Sequence, residues 1–175
     1  NLLGTIMAYD LQKEGFHGVS HGRSFTGWWI GACDDTPWFH NTIGILSEMA
    51  SARIASPVYI EPTEIPRSYA EKRMEILDPW PGGWWRLRDL VDYELTLSKS
   101  LIQAVSRGKE DFLYNSYRKN KASITQREKG EPYAFGVSGK QHDSPTALRM
   151  LDILQMGGVI LHQAKEDFHA DSRFY

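Results

Sequence analysis

Glu48 is the residue of this 175-residue chain best placed for acid–base chemistry. It follows Thr42-Ile43-Gly44-Ile45-Leu46, a short, β-branched and almost wholly apolar run. Such a run predicts a strand buried on both faces. A carboxylate at the tip of a buried strand is costly to desolvate, so it is either paired or used. Open α/β sheets place their sites at the carboxyl ends of strands, where Glu48 would lie. Two readings follow: a general base, or a structural ion pair with Arg53.

The other chemical candidates are weaker. His17 and His21 are four apart, a metal-ligand spacing on a helix. Gly18, Val19 and Gly22 lie among them and argue for a short strand running into a loop, so a solvent-facing or hydrogen-bonding role is the simpler reading. Asp34 and Asp35 are adjacent and point in different directions, which suits a solvated turn better than an acid–base dyad. There is no Gly-x-Ser-x-Gly elbow, and the single cysteine, Cys33, has no obvious partner. Aromatics are dense from Arg23 to His40, including Phe25, Trp28, Trp29, Trp38 and Phe39; such a loop packs a core edge or lines a cleft.

The elements that must position these groups can be read along the chain. Leu2, Leu3, Ile6, Met7 and Leu11 predict an opening helix that stops near Gly15. After Ala55-Ser56-Pro57, five prolines between 57 and 85 predict an extended, surface-wrapping connection, pinned by Trp80, Trp84 and Trp85. Leu90, Leu97, Leu101, Val105 and Phe112 predict one long amphipathic helix over 86–117, with Gly108 as a kink or division. Residues 119–131 are basic and polar and read as a solvated linker. Beyond it, Tyr133–Val137 and Val159–His162 read as strands. Between them a helix begins at Asp143-Ser144-Pro145, with Ser144 as N-cap, and ends at Gly157-Gly158. Strand, helix and strand in this order predict a parallel βαβ unit.

Composition narrows the function classes. With 41% hydrophobic and 24% charged residues, the chain has the make-up of a soluble globular protein. A net charge of -2 leaves no electrostatic footprint for nucleic acid or an anionic membrane, and no run of 18 apolar residues exists to span a bilayer. One cysteine excludes an internal disulfide and disfavours a cysteine-based zinc site.

Gly27-Trp28-Trp29-Ile30-Gly31, Phe39-His40-Asn41, the Glu48 run and Ala50-Ser51-Ala52-Arg53-Ile54-Ala55-Ser56-Pro57 form one continuous pattern. Over residues 1 to 60 closely, and more loosely beyond, it resembles the later part of the catalytic domain of bacterial zinc carboxypeptidases of the carboxypeptidase A type. The resemblance implies that Glu48 is the general base and that Phe25, Trp28 and Trp29 shape the pocket for the substrate's terminal side chain. It also implies a peptide substrate and an exported or periplasmic parent protein. Zinc peptide hydrolysis needs three protein ligands, an open position for water and a carboxylate within reach of that water. In the family the metal is held by a His-x-x-Glu pair and a later histidine. No His-x-x-Glu occurs here, so the resemblance places the zinc ligands upstream of Asn1. The substrate-gripping arginines belong upstream as well, and neither Arg23 nor Arg53 is assigned that duty.

The expected fold is therefore α/β: part of a mixed-sheet, carboxypeptidase-like domain with flanking helices, then the beginning of a second α/β domain. Residues 1–118 would be the C-terminal part of the catalytic domain, 119–131 the linker, and 132–175 the start of an amidotransferase-like domain without a catalytic cysteine. On this reading the chain is a fragment whose partner is the upstream half of its own domain. It would bind no metal alone and be inactive alone. The rival expectation is a non-catalytic peptide- or glycan-binding module on the same scaffold.

Overall fold

A computed structural model describes residues 1–24, 34–53, 55–130, 134–170 and 172–174, with the backbone alone at 127–129 and 173. Leu3, Met7 and Leu11 recur every fourth residue, so a helix carries all three on one face. Helix α1 spans Leu2–Lys13 and buries all three. Burying side chains of this size contributes about 1.5–3 kcal/mol each. The helix ends where expected, with Gly15 in the left-handed region at φ 84°.

The face of α1 closes on α4, Leu87–Arg107. The start of α4 is held by Asp89, whose carboxylate accepts from the Arg86 backbone N–H at 2.8 Å. Tyr93 and Ser100 are the buried positions of α4, and the Ser100 hydroxyl donates to Asp10 Oδ2 at 2.5 Å. Gly108 divides the expected long helix: α5 follows as Lys109–Lys129. Helical bonding still crosses the junction, from the Gly108 N–H to Ala104 O and from the Phe112 N–H to Gly108 O. Residues 119–129, expected as linker, are thus the second half of α5. Lysine, arginine, glutamine and alanine are good helix formers, and no glycine or proline intervenes before Gly130. A helix that is polar all round has no apolar periodicity to reveal it.

The proline-rich stretch is also more ordered than expected. Strand β1, Val58–Ile60, pairs antiparallel with β2, Gly83–Trp85. The excursion between them carries a 3-10 turn at Pro62–Glu64 and a single helical turn, α3, at Arg67–Ala70. Prolines 62 and 66 sit at the starts of these two turns, where the missing N–H costs nothing. A bridge between Arg73 and Ile76 folds the excursion back and buries Ile76.

The expected strand at 42–46 is not formed; residues 43–52 are irregular and have no ladder partner among the described residues. A strand exists only by pairing, and Ile43, Ile45 and Leu46 are exposed instead of buried. A four-residue helix, α2 at Thr36–Phe39, precedes them.

The chain divides into two compact units, Asn1–Ile124 and Thr125–Tyr175. The second contains α6, Ser144–Met156, and a hairpin of β3, His169–Ala170, with β4, Arg173–Phe174. Asp143 caps α6 one residue earlier than expected, accepting from the Thr146 N–H at 3.1 Å and its hydroxyl at 2.7 Å. Residues 134–137 and 159–162 pair with nothing as strands, so the expected parallel βαβ unit is absent from the described residues. Among the described residues the architecture is mixed α/β, mostly helical, with two small antiparallel sheets.

Candidate functional site

The segment carrying Glu48 is tethered through backbone oxygens on either side of it. The Trp38 indole N–H donates to Gly44 O at 3.2 Å, and the Trp85 indole N–H donates to Ala50 O at 3.0 Å. Gly44 lies tight against the first tether, and a Cβ there would collide with the Trp38 indole. Just upstream, Asn41 takes the left-handed conformation at φ 55°, which asparagine tolerates. Its side-chain amide donates to Ser123 Oγ at 3.2 Å and to Asn120 Oδ1 at 3.4 Å, both on α5.

Between these tethers the Glu48 side chain is exposed. The expectation that it is desolvated at a strand tip is corrected, because the strand that would bury it is missing. The ion pair with Arg53 is not formed either. The ion pairs among the described residues are His17–Asp78, Arg67–Glu71, Arg73–Glu71, Arg86–Asp89 and Arg88–Asp92. Arg53 instead closes a tight turn, its carbonyl accepting from the Ser56 N–H at 2.7 Å. Glu48 is thus a solvated carboxylate with no protein partner among those residues.

Phe25, Trp28, Trp29 and Cys33 lie outside the described residues. Of the aspartate pair, Asp35 is buried at the start of α2, where its carbonyl accepts from the Trp38 N–H. Only Asp34 keeps part of the solvated-turn character expected of both. His17 and His21 lie in irregular chain, not on a helix, so their spacing gives them no common face. His17 Nδ1 is 2.6 Å from Asp78 Oδ2, and His21 Nε2 is 3.1 Å from Met74 O. Among the described residues no group of three or more His, Cys, Asp or Glu side chains could hold a metal ion.

Sequence reasoning missed the corner around His17. Residues 16–21 run alongside 74–80, with the Gly18 N–H donating to Asp78 O at 2.8 Å and the His21 N–H to Glu75 O at 3.1 Å. Tyr93 of α4 locks this corner: its hydroxyl donates to His17 O at 2.7 Å and accepts from the His17 N–H at 3.1 Å. Burial pushes the Tyr93 phenol above its ordinary pKa. Phe16, Tyr93, Trp85 and Trp80 continue as a chain of tilted and edge-on rings, with centroids 4.4, 5.5 and 6.0 Å apart in turn. Gly18 lies so close that a Cβ there would sit 2.8 Å from the Trp80 Cβ. Beside this corner opens a cleft of about 310 Å³ that includes Pro62, Ile65, Lys72, Asp78 and Trp80 in its lining. Only the tryptophan pinning was legible beforehand, because the ties join residues 61 and 76 apart and have no local signature.

No helix among the described residues is long and apolar enough to cross a membrane. Comparison with known protein families, with curated proteins and with solved structures finds no match to this chain.

Proposed function

We propose that this chain belongs to a zinc-dependent, carboxypeptidase-like peptide hydrolase and supplies its general base, Glu48. The supporting observation is a solvent-accessible carboxylate without a protein partner among the described residues, on backbone tethered by the Trp38 and Trp85 indoles. A general base needs this combination: a carboxylate not neutralised by a neighbour, on a support that limits its travel. Phe25, Trp28 and Trp29 are assigned to the wall of the pocket for the substrate's terminal side chain. Under this reading the metal ligands lie on other parts of the protein. What this chain contributes is proton transfer: the Glu48 carboxylate accepts a proton from the attacking water and returns it to the leaving amine.

The test is Glu48→Gln in the complete protein, which preserves size and removes the base. Hydrolysis of a peptide from its carboxyl end is expected to fall about 10²–10⁴-fold, with an unchanged circular dichroism spectrum. Unchanged turnover with an intact fold removes Glu48 from the mechanism.

One observation favours a second reading, a non-catalytic peptide- or glycan-binding module. Tyr59 and Trp84 are cross-strand partners on the β1–β2 ribbon, with both rings about half exposed and the Arg86 guanidinium 5.2 Å from the Trp84 ring. Such a platform can stack on a sugar or a peptide side chain. Under this reading Trp84→Ala abolishes binding while Glu48→Gln changes nothing.

A further inference from the structure

We propose that the cleft between the 3-10 turn and Trp80 binds a free amino acid with an apolar side chain, held as its zwitterion. Two opposite charges line this cleft without neutralising each other. Lys72 is exposed and forms no ion pair among the described residues, and Asp78 is paired with His17, not with Lys72. His17 Nδ1 takes Asp78 Oδ2, which leaves Oδ1 for a ligand ammonium. A molecule spanning the cleft therefore meets a cation at one point and a carboxylate at another, the charge pattern of an amino-acid backbone turned inside out. Trp80 and Ile65 supply apolar surface in the same lining for the ligand's side chain.

The site is built in advance. Pro62 and Pro79 fix φ in the lining, and the 3-10 turn is closed by the Glu61 N–H donating to Glu64 Oε2 at 2.7 Å. Trp80 packs edge-on with Trp85, 6.0 Å away, and against the close approach of Gly18. Asp78 is held by His17 and by its own carbonyl, which accepts from Gly18. Groups ordered before the ligand arrives lose little freedom on binding it. At about 310 Å³ the cleft has the size of the smallest small-molecule sites, which suits one amino acid and not a folded partner. The proposal stands on this cleft alone and needs nothing from Glu48.

The experiment is a titration of the whole ¹⁵N-labelled chain with L-leucine, N-acetyl-L-leucine and L-leucinamide, read by NMR at the Trp80 indole N–H. Leucine is expected to move this signal saturably. N-acetyl-leucine lacks the ammonium and leucinamide lacks the carboxylate, so each binds about fivefold more weakly. Lys72→Gln is expected to bring leucine down to the level of leucinamide while leaving N-acetyl-leucine weaker still. Lys72 is exposed and bonds to nothing among the described residues, so its variant keeps the fold. A signal that does not saturate, equal binding of all three probes, or leucine binding unchanged in Lys72→Gln overturns the proposal. Hydrolysis lost in Glu48→Gln, or retained in it, bears on neither result.

Discussion

Helices α1 and α6 are of nearly equal length, and both carry apolar residues at helical spacing, yet they end in opposite surroundings. In α1, Leu3, Met7 and Leu11 are 6%, 4% and 2% exposed against α4. In α6, Leu148, Ile153 and Met156 are 62%, 53% and 82% exposed, and no residue of the helix is buried. The second unit contains no buried residue among those described, whereas Leu3, Met7, Leu11, Ile76 and Tyr93 form the core of the first. Amphipathic spacing makes a helix; a partner face makes a core. The energy that holds α1 comes from its neighbour, while α6 rests on its cap and its backbone bonds.

The sharpest way to break this comparison is Leu11→Ala set beside Ile153→Ala. The first removes the most deeply buried side chain of α1 and should cost about 2–5 kcal/mol in urea unfolding of the first unit. The second should change stability by no more than about 0.5 kcal/mol. Equal effects would mean that α6 has a partner face in solution.

Tyr93→Phe comes next. It leaves the ring in its aromatic chain and removes the hydroxyl that serves both His17 N–H and His17 O. Part-buried backbone groups left without a partner cost about 1–3 kcal/mol, seen as a lower urea midpoint. The same hydroxyl gives a pH test. Its pKa is raised by burial in the folded state, so its contribution is complete below the ordinary tyrosine value of about 10 and is lost as pH rises through the folded value. Stability of the first unit should fall in that alkaline window for the parent chain and fall less in Tyr93→Phe.

The smallest effect belongs to α6. Asp143→Ala removes its N-cap and should weaken the first turn of that helix, read as lost amide protection at Thr146. Hydrogen bonds from the Thr146 hydroxyl and N–H hold the Asp143 carboxyl below its ordinary pKa. The cap is therefore complete above that ordinary value and is lost as pH falls through the lowered one. Amide protection that holds through strong acid would show that something other than the cap secures α6.

Much of the helical content was legible beforehand. The α1 stripe, the stop near Gly15, the special role of Gly108 and the Asp143-Ser144-Pro145 start are local signals, and the structure carries them with shifts of a residue or so. The second half of α5 was not legible, because a polar helix has propensity without periodicity. The expected strands at 42–46, 134–137 and 159–162 show the opposite failure: apolar runs state what a segment would do if a neighbouring strand were present. Position 48 illustrates the same limit at the candidate site. Its residue type was plain from the first reading, but its exposure and the absence of Arg53 as a partner depended on what lies beside it.

Residue types and short spacings, then, determined most of the helical segments and their caps, and marked Glu48 as the group best placed for acid–base chemistry. Only the tertiary structure decided that His17 meets Asp78 across 61 residues, that Tyr93 locks that corner, and that Lys72 and Asp78 line one cleft without pairing to each other. Helices are bonded within a few residues and so are written locally; clefts, ion pairs and strands join distant parts of the chain, and their energy exists only once those parts have met.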